Sequence, residues 1–174
     1  MKISSRSLRR AVVPAAVAGV ALPLAFATPA SAQPGSSIVR IGSSVAFGAA
    51  PGYANGVTVT KDGTNLRVTD TAGIRAGFGC QQVTATTATC GSWATVTQFT
   101  ASLGDLADSY MQDQTLAFRV ILDAGSGPDT VNTGAGGDII NVRDGFVDAV
   151  NCDGGSDLVS SDPIDNVALD CFQP

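Results

Sequence analysis

The sequence contains no histidine and no glutamate, and these absences narrow the functions open to it. Without histidine, the side chain that most often serves as a general base in enzymes is missing. A zinc site is disfavoured as well, because imidazole ligands are lacking and no cysteine pair has the spacing of a metal clip. Paired aspartates could serve a glycosidase, but here they recur at regular intervals instead of standing as one couple. We therefore expect a protein that is not an enzyme.

Basic residues are almost missing from the second half of the chain. Thirteen of the fifteen acidic residues, all aspartates, lie from Asp105 onward, and against the two bases Arg119 and Arg143 they give this segment a charge of −11. Residues 33–104 carry +2. This asymmetry does not favour nucleic-acid binding. Glutamate would serve equally well for charge, so the exclusive use of aspartate indicates turn formation and ion ligation, with an acidic solubilising surface as the alternative.

The first 32 residues (1–32) have the pattern of a secretory signal peptide. A basic start is followed by an apolar run over residues 11–26, and the small residues Ala30–Ala32 suit cleavage before Gln33. Pro14 and Pro23 interrupt the apolar run, which is shorter than the ~20 residues that a membrane span needs. We expect a secreted, extracellular chain with no membrane span after processing.

Between Asp123 and Asp165 an aspartate recurs with a β-branched apolar residue two positions after it. A helical period is excluded, because each interior glycine of this tract would cost a helix about 1 kcal/mol. Six residues of glycine-rich turn ending in aspartate, followed by three residues of strand, instead form one half-turn of a β-solenoid. The aspartates are expected to face solvent and the β-branched residues to stack into a thin core. The triplets are Asp129-Thr-Val131, Asp138-Ile-Ile140, Asp148-Ala-Val150, Asp157-Leu-Val159 and Asp165-Asn-Val167.

Stacked half-turns would bring these aspartates close together. Neighbouring strands lie about 4.8 Å apart, and at an effective dielectric constant of 20 two unit charges at that distance repel by roughly 3 to 4 kcal/mol. The aspartate ladder therefore favours a bound cation. Carboxylate and carbonyl oxygens, with no histidine and no thiolate on the turns, suit Ca²⁺ better than a transition metal.

The tract resembles the nonapeptide G-G-x-G-x-D-x-U-x of the RTX, or hemolysin-type, calcium-binding repeats, which form a parallel β-roll. Residues 124–132 and 133–141 match best: each keeps the second and fourth glycine, the sixth-position aspartate and the eighth-position apolar residue. The two repeats that follow are degenerate, with Phe146 in place of a glycine in the first of them. The glycines at the second and fourth positions of the two best-matching repeats are Gly125, Gly127, Gly134 and Gly136.

The resemblance implies a set of ligands and a function. In that family each ion lies between turns one full coil apart, so Asp129 would share a Ca²⁺ with the Asp148 turn, and Asp138 with the Asp157 turn. The four glycines would belong to the metal loops. The implied function is that of a secreted, non-enzymatic calcium-binding protein in which ion binding is coupled to folding. A metal-independent cell-surface or adhesion module, with the solenoid as scaffold and an unknown partner, remains the alternative.

The whole chain is predicted to be all-β, with a β-rich lead-in at 33–104 and the repeat solenoid with a C-terminal cap at 105–174. Alternation around Lys61–Thr64 predicts an antiparallel hairpin from Val57–Thr60 and Leu66–Thr69. In an exported protein four cysteines indicate two disulfides, and proximity favours one of the three pairings. The favoured pairs are Cys80 with Cys90 and Cys152 with Cys171.

Several segments around the repeats carry further expectations. Trp93–Phe99 and Leu116–Leu122 are predicted strands. Residues 105–114 predict either an eroded half-turn, with Tyr110 inward after Asp108, or a short helical turn. Residues 162–171 are expected to cap the last half-turn, with their aspartates in turn and cap roles rather than as ligands.

Overall fold

The computed structural model describes residues 35–172, so the predicted signal peptide lies outside the described residues. Strands make up the described fold, with one three-residue 3-10 helix at Trp93–Thr95 and no α-helix within residues 35–172. No helix in this part of the chain is long and apolar enough to cross a membrane. The strands are β1 (Ser36–Ile41), β2 (Ser44–Ala49), β3 (Gly56–Asp62), β4 (Asn65–Asp70), β5 (Ile74–Ala76), β6 (Gln81–Thr84), β7 (Thr87–Ser92), β8 (Gln98–Ser102), β9 (Ser109–Gln112), β10 (Arg119–Asp123), β11 (Thr130–Asn132), β12 (Ile139–Asn141), β13 (Ala149–Asn151), β14 (Leu158–Ser160) and β15 (Asn166–Val167).

The strands form two mixed sheets. The first has the order β14-β12-β10-β8-β2-β1-β5 and the second the order β15-β13-β11-β9-β3-β4-β7-β6. From β8 onward, successive strands alternate between the sheets, and within each sheet these strands are parallel. The chain therefore returns to the same sheet at every second strand, and we call each such pair of strands a coil.

The lead-in is built from hairpins, as the sequence predicted for its centre. The strands β3 and β4 pair antiparallel around Gly63, which confirms the hairpin expected there. The strands β1 and β2 form a second antiparallel pair, and β6 and β7 form a third. The parallel contacts of β2 with β8 and of β3 with β9 continue both sheets from the hairpins into the coils.

One apolar core runs through the hairpins and the coils. The β-branched residue of each triplet points into it, and equivalent residues are in register: Val131 opposite Val150, and Ile140 opposite Val159. These four side chains are all nearly inaccessible to solvent. Side chains alternate between the two faces of a strand, so a strand of three residues sends a single side chain into the core. The core within the coils therefore depends on the stacking of these residues.

The structure corrects two predicted strands and decides a third segment. Trp93–Phe99 is not one strand, because its first three residues form the 3-10 helix and β8 begins only at Gln98. The strand predicted at Leu116–Leu122 begins at Arg119. Leu116 is buried but lies in the preceding turn, which burial alone does not distinguish from a strand. Between the alternatives for residues 105–114, the half-turn is right and the helical turn wrong, since Tyr110 lies fully buried in β9.

The disulfides join Cys80 to Cys90 and Cys152 to Cys171, the pairing favoured from sequence proximity. The first bridges the β6–β7 hairpin, and the second ties the end of the chain to the residue that follows β13. No cysteine of residues 35–172 is free. Two disulfides of this kind indicate an oxidising environment.

Candidate metal site

The turns place aspartates in two columns, one at the start of the strands of each sheet. The first column precedes the second-sheet strands β9, β11, β13 and β15, and the second column precedes β12 and β14 of the first sheet. In-register pairing of the strands puts each aspartate one strand spacing from the next, about 4.8 Å. The first column is Asp108, Asp129, Asp148 and Asp165, and the second is Asp138 and Asp157.

Each carboxylate is fixed by the main chain of the coil before it. Asp148 Oδ1 accepts the Asp129 N–H at 2.8 Å, and Asp157 Oδ1 accepts the Asp138 N–H at 2.8 Å, in both cases 19 residues earlier along the chain. Asp129 Oδ1 accepts the Asp108 N–H in the same way at 2.8 Å. The structure thus brings together Asp129 with Asp148, and Asp138 with Asp157, as the sequence predicted for residues one coil apart.

The expectation that these aspartates face solvent is wrong. Asp129 is 3% exposed, Asp138 and Asp148 are 1% exposed, and Asp157 is 5% exposed. The physical reason is the hydrogen bond to the preceding coil: a carboxylate that accepts a main-chain N–H one strand away must turn along the stack and not outward. Turn propensity predicts where aspartate occurs but not which way its side chain turns.

The second oxygen of each of these carboxylates is buried without a hydrogen-bond partner. This holds for Oδ2 of all four predicted residues and also for Oδ2 of Asp108. A buried carboxylate oxygen without a partner is strongly unfavourable, so such a group either takes up a proton or meets a cation. The repetition of the same unpartnered atom from coil to coil indicates a feature of the turns rather than one poorly packed residue.

Burial raises the pKa of these carboxyl groups. The pKa of Asp129 rises to about 7 through loss of solvation, with further upward contributions from Asp108, Asp148 and Asp144, against the lowering effect of the Asp108 N–H. Burial likewise raises the pKa of Asp138 to about 6, opposed by the Val120 N–H and the nearby Thr133 hydroxyl. The pKa values of Asp148 and Asp157 are raised for the same reason, burial first. Each column therefore resists carrying its full negative charge without a counter-ion.

The four predicted glycines lie where turns of successive coils touch. A Cβ on Gly127, whose φ is +131°, would lie 1.8 Å from the Leu106 carbonyl oxygen, and one on Gly125 would lie 2.0 Å from that of Gly104. At Gly136, a Cβ would lie 2.3 Å from the Phe118 carbonyl oxygen. At Gly134, it would lie 2.6 Å from that of Leu116. Gly125 and Gly127 have positive φ, whereas Gly134 and Gly136 do not. At Gly134 and Gly136 it is therefore the lack of space that requires glycine.

Replacing Gly155 by alanine is expected to destabilise the protein by about 3 kcal/mol or more. Its φ is +139°, and a Cβ would lie 1.7 Å from the Gly136 carbonyl oxygen and 3.1 Å from Asp157 Oδ1. Neighbouring Gly154 supplies the matched control, because its Cβ would meet only Ala135, at 3.9 Å. Urea denaturation of Gly155→Ala and Gly154→Ala should show a large loss and a small change. Equal losses would mean that the two turns are not in contact.

Beside the first column lie further acids that were not among the predicted ligands. Asp144 Oδ2 accepts the Gly127 N–H at 2.6 Å, and Asp105 Oδ1 accepts the Gly52 N–H at 2.6 Å. Asp108 has the same buried, unpartnered Oδ2 as the predicted residues. The sequence signal for Asp108 is its position two residues before the inward Tyr110. Asp105 belongs to the same predicted half-turn, whereas Asp144 has no such signal, because only the pairing of successive coils brings its carboxylate to the Gly127 N–H.

The last coil closes the first column. Asp165 Oδ1 accepts the Asp148 N–H at 3.1 Å, but its Oδ2 accepts the Asp162 N–H at 2.6 Å, so both oxygens have partners. Asp162 Oδ2 in turn accepts the Asp144 and Gly145 N–H groups. These contacts are turn and cap interactions, the roles expected for both residues. The predicted cap also contains the short strand β15, which pairs with β13.

The donor set fits a cation bound between coils and does not resemble a compact acidic cluster. Among residues 35–172, no group of three or more histidine, cysteine, aspartate or glutamate side chains is gathered in a way that could hold an ion. Five half-turns each offer one buried, unpartnered carboxylate oxygen, those before β9, β11, β12, β13 and β14. The main-chain carbonyls of Phe118 and Gly136 lie against Gly136 and Gly155, in the turns before β12 and β14. Calcium accepts carboxylate and main-chain carbonyl oxygens together.

Comparison with protein-family models, with curated proteins and with solved structures gave no significant match.

Proposed function

We propose that the protein is a secreted, non-enzymatic calcium-binding protein of the RTX-like β-roll type. In this proposal, the alternating parallel strands are the coils of a short solenoid, and Ca²⁺ binds between turns one coil apart. Asp129 and Asp148 would hold one ion, and Asp138 and Asp157 another, with turn carbonyls as further ligands. The observation that carries the proposal is the buried, unpartnered Oδ2 on each of these four aspartates.

Electrostatics supports a cation rather than an internal basic partner. The ion pairs of residues 35–172 are Arg67 with Asp62 and Arg143 with Asp162, and neither involves a carboxylate with an unpartnered oxygen. The charge of Arg119 opposes the raised pKa of Asp138, but burial outweighs it. The columns therefore carry negative charge that the protein's own cations leave largely uncompensated. A divalent ion would supply the compensation from outside.

Calcium binding would then contribute directly to folding. The unfolded chain has no preformed site, so binding energy adds to the stability of the folded state. At a hundredfold excess over the dissociation constant, each site would add about 2.7 kcal/mol. Extracellular calcium modules bind at about 10⁻⁴ to 10⁻³ M, so the protein would be fully ordered only where calcium is abundant.

A calcium titration followed by circular dichroism and thermal unfolding tests the proposal. Millimolar Ca²⁺ should increase the β signal and raise the midpoint of unfolding, a chelator should reverse both, and Mg²⁺ should have little effect because it demands a smaller octahedral site. An unchanged spectrum and midpoint would remove the proposal. That result would favour the metal-independent scaffold instead.

A further inference from the structure

The first column of aspartates continues past the repeats into the lead-in. Asn55 precedes β3 as Asp108 precedes β9, and the parallel pairing of Gly56 with Ser109 places them one strand spacing apart. The Asn55 N–H donates to Asp108 Oδ1 at 2.6 Å. The Asp108 N–H donates to Asp129 Oδ1 of the next coil in the same way. Asn55 thus occupies the aspartate position of the coil that the lead-in contributes.

Two side-chain oxygens at this junction are buried and lack a partner. Asn55 is 2% exposed and Asp108 is 4% exposed, and neither Asn55 Oδ1 nor Asp108 Oδ2 accepts a hydrogen bond. The orientation of the amide is fixed, because Asn55 Nδ2 donates to Asp70 Oδ2 at 2.7 Å. Turning the amide over would set two oxygens against each other. Asn55 Oδ1 is therefore an acceptor held away from Asp70.

The junction also carries uncompensated negative charge. Asp70 is fully buried, and its carboxylate accepts N–H groups from Gly56 and Ala72 in addition to the Asn55 amide. The carboxylates of Asp105 and Asp108 accept the Gly52 and Asn55 N–H groups in the adjoining segment. Neither of the ion pairs found in residues 35–172 includes any of these three aspartates.

We propose that Asn55 Oδ1 and Asp108 Oδ2 are ligands of a further Ca²⁺ that joins the lead-in to the coils. The proposal rests on the calcium-binding function proposed above, but its ligands lie outside the nonapeptide repeats. Amide and carboxylate oxygens are both calcium ligands. A water molecule could satisfy the amide oxygen, but it would leave the charge of Asp108 uncompensated, whereas a cation serves both oxygens.

Such an ion would order a specific loop. The segment from Pro51 to Asn55 connects β2 to β3, and it is held at Gly52 by Asp105 and at Asn55 by Asp108. Asp105 and Asp108 both belong to the first turn of the coils. An ion at Asn55 would therefore couple the docking of the lead-in loop to calcium, and not only the folding of the repeats.

Counting bound calcium tests the junction site. In equilibrium dialysis of the oxidised full chain against ⁴⁵Ca²⁺, Asn55→Ala should bind one ion fewer than the unaltered protein. Asn141→Ala, which changes an exposed asparagine whose side chain contacts Asp123 and the Arg143 N–H, should bind the same number. If the unaltered protein binds calcium and Asn55→Ala binds equally many ions, the junction site is refuted while the repeat sites stand. If the unaltered protein binds none, both proposals fail.

Hydrogen exchange on the unaltered protein decides the matter if Asn55→Ala does not fold. Calcium should slow exchange of the amide hydrogens of residues 51–56 about tenfold or more, which corresponds to about 1.4 kcal/mol of added local stability. Slowing confined to residues 123–165 would overturn the junction site, because an ion bound at Asn55 must stabilise its own loop.

Discussion

Replacing both Asp129 and Asp138 by asparagine is expected to make the protein more stable than the unaltered protein without calcium and less stable with it. Asparagine retains an Oδ1 that can accept the N–H groups of Asp108 and Val120, so the contact to the preceding coil remains. The neutral amide removes two buried charges that lack partners. Without calcium, the variant should therefore be more stable than the unaltered protein at neutral pH, by about 1 to 3 kcal/mol.

With calcium in excess, the order should be opposite. The unaltered protein would gain about 2.7 kcal/mol for each site at a hundredfold excess over the dissociation constant. The variant would gain little, because each proposed site has lost a charged ligand. Urea denaturation with and without millimolar Ca²⁺ measures both differences in free energy of unfolding.

The exposed Asp123 provides the matched control for charge. Asp123→Asn removes one negative charge from the same acidic segment, at a carboxylate that contacts the Asn141 amide at 3.0 Å. It should keep the full calcium response. A double variant that gains as much from calcium as Asp123→Asn does would show that the buried carboxylates are not ligands.

The pH dependence of stability is the second large expected effect: the metal-free protein should lose stability as pH rises, and the stability gained from calcium should grow over the same range. In the folded, metal-free protein the pKa of Asp129 is about 7, and those of Asp138 and Asp108 are about 6, all above the ordinary 3.8. The folded state therefore holds more protons than the unfolded state across this range. Its stability is greatest below about pH 4 and is lost as pH rises through about 6 to 7.

The size of this loss follows from the same values. For Asp129 alone, a rise from 3.8 to about 7 corresponds to roughly 4 kcal/mol at 1.36 kcal/mol per pKa unit. The coupled carboxylates titrate as a set, so the loss should spread over a broad pH range. Calcium binds the deprotonated carboxylates and should restore at about pH 8 what the metal-free protein has lost.

Thermal unfolding between about pH 4.5 and pH 8, with chelator and with calcium, tests this expectation. The midpoint of the metal-free protein should fall as pH rises, and the gain from calcium should grow from nearly nothing to its maximum over the same range. A metal-free protein that becomes more stable as pH rises toward 8 would contradict the raised pKa values.

The sequence predicted the all-β class and the inward residue of each half-turn because both depend on local periodicity, whereas the pairing of the aspartates one coil apart came from the resemblance to the RTX repeats. A β-branched residue two positions after each aspartate fixes which side chain enters the core, as the stacking of Val131 on Val150 confirms. The β3–β4 hairpin was identified from its Asp62-Gly63 turn and the alternation on either side. Each of these features depends on only a few neighbouring residues.

The direction of the aspartate side chains was not predictable in the same way. The burial of Asp129 depends on an N–H group of Asp108, 21 residues earlier along the chain. The contacts of Asn55 depend on Asp108, 53 residues later, and on Asp70, which ends the β3–β4 hairpin that Asn55 precedes. Such contacts are set by how hairpins and coils stack, and a pattern of nine residues carries no information about them.

The most direct test of the central claim is to locate calcium in crystals grown with millimolar Ca²⁺, using anomalous scattering. The account predicts peaks bound by the Oδ2 atoms of Asp129 and Asp148, and by those of Asp138 and Asp157. Crystals with ordered turns in which these oxygens meet only water or protons, and no anomalous peak lies between the coils, would contradict it.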